Sequence, residues 1–538
     1  MALTKSNVRM LEDVFITPSQ FNAVGDGVAD DTIALNAAMT AAANGVLDGG
    51  GKTYKVSSTI SMPSDVVFQN ATLTFDTDSV ACLEAMGTQD SPFSLTADVA
   101  LGERVITLSS GDAATLSEGD MVYITDSQDF VTGVARSEIN FVKSVSGTSV
   151  TMVSGFFSPY TVANTATVSK IHGKENITLR NIRLIGKDDA VTPAGQTGAD
   201  FENCRNVNLE GCRFEKFDTR LSRFTRSAHI HVSNCYFTNA DRSGFGYGTT
   251  ASKGTHYMTV TNCTFELMRH GVATGGSEGI NRFVTVSNCT FNGMKDSMLD
   301  AHPPTDFVNY SHNVGTHVPD DFSALADDGI VVQGGRAIIC NNIIDSAVRN
   351  GVLIQTGVLA TAGTDTITYI VSDNIINNVG TAAGISVNTQ DAGREGIRGL
   401  TISNNSISNS SSNGIIIQAN GNDILDTVIT GNAISISSGN SCIRLQSTAT
   451  TGKISRVAIT GNALALSNDT PDHNIEFVSS GLGISRAVIS GNSIYNGDYG
   501  VLLGTADKVV VVGNIIDGMA TGDISSGSAT NTTIASNG

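Results

Sequence analysis

VNLEGCRF, residues 207–214, returns as IHVSNCYF at 230–237 and VTVSNCTF at 284–291. In altered form it returns again as TISNNSI at 401–407, VITGNAI at 428–434, AVISGNSI at 487–494 and VVVGNII at 510–516. The residues equivalent to Cys212 are Cys235, Cys263, Cys289, Asn313, Asn342, Asn374, Asn405, Asn432, Asn462, Asn492 and Asn514, at steps of 22–32 residues. An earlier copy, NITLRNIRL at 176–184, extends the series toward the N-terminus. Units of this length built only from strands predict a solenoid in which each unit buries its apolar face against the next. The fold class is therefore all-β, a right-handed parallel β-helix of about a dozen rungs. The recurring Asn predicts a ladder of side-chain amides hydrogen-bonded from rung to rung inside a bend. The four cysteines at the same position predict a stacked apolar column, reduced and structural, since no CxxC occurs.

Composition agrees. The chain of 538 residues has 56 Gly, only 9 Pro and no Trp, and Asn, Ser, Thr and Gly cluster between runs of Val and Ile. That pattern means many short strands and turns and excludes the helix-rich classes. A net charge of −19 repels a phosphate backbone, so nucleic acid is excluded as a partner. Met1 to Glu12 lacks the apolar core of a signal peptide, and no apolar run reaches membrane-spanning length. The expected route out of the cell is thus not the ordinary secretory one.

Five segments are expected. Residues 1–18 show no pattern. Residues 19–91 hold a short helix cap, begun by Asp30 or Asp31 as N-cap and ended near Gly45 as the left-handed C-cap, and the first helix turns. Residues 92–167 lack the Asn phrase and read as a small inserted β-domain. Residues 168–521 form the main β-helix, and 522–538 its polar end.

FNAVGDGVADDTIALNAAM at 21–39, followed by GGGKTYKVSSTI at 49–60, resembles the opening of the pectate-lyase-like superfamily found in bacteriophage tailspikes and capsule depolymerases. With the insert and the Asn-rich rungs, the resemblance spans nearly the whole chain. It implies a homotrimeric virion appendage that binds, and often cleaves, host surface polysaccharide. It also implies attachment to a phage tail or baseplate protein through 1–18, and synthesis in the host cytoplasm without a signal peptide. Fold alone does not grant activity.

Candidate chemistry follows from counting along each rung from its Cys or Asn. Ten and twelve places on lie Phe245 and Tyr247, Ala273 and Gly275, Leu299 and Ala301, Val352 and Ile354, Ile415 and Ile417, the expected core-facing pair. The places between and after them then face outward as Gly246, Thr274 and Asp300, and as Gly248, Gly276 and His302, with Gln333 and Gln355 continuing above His302. At place seven stand Arg242, His270 and Asp296, followed by Asp327 beyond a longer loop, with Arg269 adjacent. Asp296 with Asp300 or Asp327 could supply the two carboxyls of glycoside hydrolysis. His302 or His270, with Arg242 or Arg269, could instead serve β-elimination from a uronate. RHGVATGG at 269–276 and LDAHP at 299–303 also resemble a histidine-and-aspartate pattern of related β-helices, which points to Arg269, His270, Asp300 and His302 as site residues. The catalytic candidates are Asp296, Asp300, His302 and His270, and the substrate-binding ones Arg242, Arg269, Asp327, Gln333 and Gln355. No metal and no cofactor is implied.

Set against this, outward Asp and Arg on a solenoid are commonly solvated or paired between rungs. His229 and His231 are expected to be structural, and Asp26, Asp30 and Asp31 to serve turns and the helix cap. The expected function is depolymerisation of a host polysaccharide, with hydrolysis preferred to elimination. The alternatives are a receptor-binding spike without catalysis and a bacterial pectate-lyase-like lyase.

Overall fold

A computed structural model describes residues 15–187, 195–240, 245–317, 328–359, 367–389, 393–437, 440–448, 452–466, 472–480 and 483–538. Most of the 1–18 segment, Arg242 and Asp327 lie outside the described residues.

Three strands make a rung. In one rung they are Ala228–Ser233, Tyr236–Ala240 and Tyr247–Ser252; in the next, His256–Thr261, Thr264–Met268 and His270–Gly275. Each pairs in parallel with its counterpart one rung on, Ile230 with Met258, Phe237 with Phe265 and Thr249 with Val272. Among the described residues, repetition of this pattern joins 42 strands into one continuous ladder, wound as a right-handed parallel β-helix with three faces. Rungs are spaced by about 4.8 Å.

Period-two alternation puts one column of side chains inside at every second position. Phe214, Phe237, Phe265 and Phe291 stack there, neighbouring rings 4.9 Å apart and within 7° of parallel. Beside them Cys212, Cys235, Cys263 and Cys289 are buried and free of disulfides. Above Cys289 the column changes chemistry. Asn313 donates from Nδ2 to Oδ1 of Asn342 (3.0 Å), and the pattern runs through Asn374, Asn405, Asn432, Asn462, Asn492 and Asn514 to Asn537. Each amide oxygen also accepts the backbone N–H of the Asn below, as Asn462 does from Asn432 (2.9 Å). An interior bend that exposes polar backbone is thereby satisfied.

The helix runs Thr32–Ala41 and covers the first rungs. Asp30 Oδ1 accepts from the N–H of Thr32 (3.0 Å), while Asp31 instead binds the N–H groups of Val24 and Gly25, and Asp26 those of Val28 and Ala29. The C-terminal expectation fails. Asn44 takes the left-handed conformation (φ 62°), and Gly45 opens the strand Gly45–Val56. Asn tolerates that region, because its short polar side chain bonds locally.

A second sheet of seven strands lies between Thr88 and His172. It packs on the flank of the helix, where Phe141 meets His229 (5.2 Å) and Phe157 meets Phe283 and Phe307. His229 is therefore a packing residue, stacked also on Tyr257 (5.0 Å), and His231 is exposed. Beneath this contact Arg282, wholly buried, donates to the carbonyl of Ser137 and to Ser158 Oγ (3.4 Å). At the far end Thr533–Ala535 pairs with Val510–Val512, so the ladder continues almost to the last residue.

Candidate functional site

The third strand of each rung forms one face of the helix, and the predicted residues gather on its outer side. Register there differs from the count made on the sequence. Thr249, Val272 and Leu299 share an inward column, although they stand 14, 9 and 10 places after Cys235, Cys263 and Cys289. The bend before this strand changes length from rung to rung, and a slip of one residue turns every side chain over. Leu299 with Ala301, Val352 with Ile354, and Ile415 with Ile417 face the core as expected, all fully buried. Phe245 and Tyr247 do not, since Phe245 is exposed and Tyr247 half-buried on the outer side. Ala273 and Gly275 also point outward, Ala273 directly below Asp300. Thr274 points inward, its Oγ1 2.6 Å from that of Thr305. The expected outward columns Gly246–Thr274–Asp300 and Gly248–Gly276–His302 are therefore not columns. The glycine floor beneath His302 is Gly275, where a Cβ would lie 3.1 Å from the Cβ of His302.

Four of the five described charged or ionisable candidates form two bonded pairs, His302 with Asp300 and Arg269 with Asp296, and His270 lies between the pairs. His302 Nε2 is 2.9 Å from Asp300 Oδ2. His270 sits between the two carboxylates, its Nδ1 3.7 Å from Asp300 and its Nε2 3.4 Å from Asp296. Arg269 donates from Nε to Asp296 Oδ2 (3.1 Å) and from Nη1 to the hydroxyl of Tyr247 (3.2 Å). The Tyr247 ring stacks on His270 at 5.2 Å and 14°. Asp296 and Asp300 were expected to face solvent; they are only 6% and 4% exposed, hemmed in by these partners. His302 alone is open, with 42% of its side chain exposed.

Electrostatics follows from this burial. Desolvation pushes His270 down to about 3, so it is neutral at neutral pH. Burial works to raise the Asp300 carboxyl, but the His302 charge and hydrogen bond, then His270 and Arg269, hold it below its usual range. The charge of Asp300 in turn raises His302 above the ordinary imidazole value, against partial burial. Asp300 Oδ1 and both ring nitrogens of His270 are buried with no hydrogen-bond partner. Such atoms are costly in a native structure unless a ligand or water completes them.

Gln333 follows His302 in register, its N–H bonded to the carbonyl of Ala301 (2.7 Å), and its side-chain amide donates to Gln355 (3.1 Å). The column goes on through Asn388, Gln418 and Gln446, the last two bonded at 3.2 Å. Gln355, Asn388 and Gln418 line an outward cleft of about 260 Å³ with Arg349 and Asn413. Sequence reasoning missed Tyr247, Asn388 and Gln418. Carrying the column two rungs further would have found Gln418, thirteen places after Asn405 as Gln355 is after Asn342, but not Asn388, which stands fourteen after Asn374. Among the described residues no group of three His, Cys, Asp or Glu side chains is disposed to hold a metal ion, and no helix is long and apolar enough to cross a membrane.

The long parallel β-helix is a fold shared with known proteins. The tailspike of Pseudomonas phage phi297 is similar over 86% of this chain and 82% of its own, at 15% identity and a TM-score of 0.66. The tailspike of Acinetobacter baumannii bacteriophage AP22, solved in complex with A. baumannii capsular saccharide, is similar over 97% and 79% at 14% identity and a TM-score of 0.60. That of E. coli bacteriophage HK620, solved with a pentasaccharide, is similar over 98% and 81% at 11% identity and a TM-score of 0.51. Residues 23–79 match the family described as the N-terminal extension of bacteriophage endosialidase. No curated protein matches the chain significantly. The resemblance to bacteriophage tailspikes holds in the opening motif and across the fold.

Proposed function

We propose that the protein is a phage tailspike that binds host surface polysaccharide along the outer side of the third face and cleaves it at His302. The observation that carries this reading is the His302–Asp300 pair, an open imidazole held by a buried carboxylate beside three unpartnered polar atoms. A general acid or base must be reachable by substrate and carry a pKa near the working pH. His302 is reachable, and the charge of Asp300 raises its proton affinity. Asp296 and Asp300 are enclosed and ion-paired, so the proton-donating role expected of this carboxylate pair passes to His302. Arg269 is committed to Asp296, so among the described residues it is not free to neutralise a uronate carboxylate. Hydrolysis is therefore the form of cleavage favoured: protonated His302 gives its proton to the leaving oxygen, water adds to the anomeric carbon, and the proton that water releases returns to the imidazole. Purified protein incubated with host polysaccharide should release new reducing ends without an unsaturated product. Ultraviolet absorbance from an unsaturated uronate would mean elimination instead.

A second reading, a receptor-binding spike without catalysis, is favoured by the amide column from Gln333 to Gln446, which suits hydroxyl-rich ligands and contains no acid or base. Saccharide retention with no new reducing ends would select it.

Assembly as a homotrimer on the virion tail, through residues 1–18, belongs to the same proposal. It is supported by an outward column on the first face where Ile338, Ile370, Val428, Val488 and Val510 are all exposed. Thr401 and Ala458 fill the rungs between them. Apolar side chains in a continuous row mark a contact surface.

A further inference from the structure

Three rungs before His302, on the same outer face, Arg220 stands in register with Tyr247 and, through it, with His270. Its guanidinium lies 5.4 Å from the Tyr247 ring centroid. Among the described residues no carboxylate pairs with it. It lines a polar cavity of about 290 Å³ together with Arg223, Asp200, Glu84, Thr197 and Thr219. Arg220 is half-buried, and a charge partly withdrawn from water is costly unless a partner, here a ligand, supplies the counter-charge.

The other charges in the cavity do not supply it. Arg223 grips Asp200 with two donors, Nε at 2.8 Å and Nη2, so these two cancel. Glu84 sits on the rung below Asp200, directly in register. Glu84 makes no ion pair with Arg220 among the described residues, and burial, then the Asp200 charge, push its carboxyl upward. Burial, and then Arg223, likewise make the charged form of Arg220 costly.

We propose that the Arg220 cavity is a subsite for a sugar carboxylate, which makes the substrate an acidic polysaccharide. The planar guanidinium fork matches the two oxygens of a carboxylate, and Thr197 stands in register beside Arg220 on the same cavity wall. Three rungs place this carboxylate about 14 Å along the axis from His302. The acidic sugar is then not the residue whose bond is cut. This inference rests on the polysaccharide reading above, but its test does not require cleavage.

The test is titration of the intact protein with glucuronate and with glucose, followed by saturation-transfer NMR. Glucuronate should bind and glucose should not. Arg220→Gln should weaken glucuronate at least tenfold, and Arg220→Lys should restore part of the loss. His302→Ala should leave glucuronate affinity unchanged, which separates this subsite from the cleavage site. Equal binding of the two sugars, or equal glucuronate binding by Arg220→Gln and the parent at unchanged melting temperature, overturns the proposal. Failure of the parent to cleave host polysaccharide while these results hold would count against the proposed cleavage only.

Discussion

Asp300, 4% exposed, holds the open imidazole of His302 at 2.9 Å, so a buried negative charge sets the proton affinity of a group on the surface. Removing that charge should show in the pH profile before it shows in the fold. Asp300→Asn keeps the shape and a hydrogen-bonding oxygen but drops the charge that raises His302. Cleavage by this variant should fall by about 10²-fold or more. The limb of its rate profile that reports His302 should move to lower pH. His302→Ala should lose cleavage and keep saccharide retention. An Asp300→Asn profile that coincides in shape with the parent's would remove His302 as the proton carrier.

His270 leads to a prediction about acid stability. Its folded pKa of about 3 lies below its ordinary 6.5, because burial disfavours the charged ring. Between those values the unfolded chain binds a proton that the folded one refuses, so this residue makes stability fall as pH falls through that window. His270→Gln removes this contribution. The gap in melting temperature between parent and variant should shift in favour of the variant from pH 7 to pH 4. Parallel curves over that range would mean that His270 is protonated in the folded chain.

What the sequence made legible and what it hid have one physical cause. Asn432 and Asn462 could be read at once because rung-to-rung amide bonding demands the same chemistry at each level. His302, Gln333 and Gln355 could be aligned because the strand beyond Leu299 runs unbroken across those rungs. Tyr247 could not. Fourteen places separate Cys235 from Thr249 but nine separate Cys263 from Val272, so a fixed count placed Tyr247 in the core and hid its stack on His270. Burial of Asp296 and Asp300 was hidden for another reason. Alternation says which way a side chain points, but not that Arg269, His270 and His302 will close over it. Arg220 carries no local signal, because a cation with no carboxylate partner among the described residues is defined by its surroundings in space, not along the chain.

The ladder itself can be tested in its middle. Asn432 donates to Asn462 Oδ1 (2.9 Å) and to the carbonyl of Ile402 (3.0 Å), and accepts from Asn405. Asn432→Leu strands the donors of Asn405 and the acceptor of Asn462 inside a dry bend. It should cost roughly 1–3 kcal/mol, the usual penalty for unsatisfied buried partners, and Asn462→Leu should cost a similar amount. Saccharide retention by the folded protein should not change, since the ladder lies inside the helix. Unaltered unfolding curves for both variants would show that the amides contribute nothing net.

The apolar row on the first face bears on assembly. Val428 and Val488 lie two rungs apart in one outward column, each about two-fifths exposed in the single chain. A row of methyl groups at the rung spacing fits best against a surface with the same spacing, and another copy of this helix provides one. Apolar burial at about 25 cal/mol per Å² rewards such lateral packing, and the proposed assembly brings three copies together. Val428→Asp combined with Val488→Asp puts two like charges on that row without touching the core. Light scattering should give three times the 55.9 kDa chain mass for the parent and a lower mass for the double variant at equal concentration. Circular dichroism should be the same for both, because the substituted side chains point away from the interior. A parent particle at the mass of one chain would remove the trimer, and a double variant that stays trimeric would move the interface to another face.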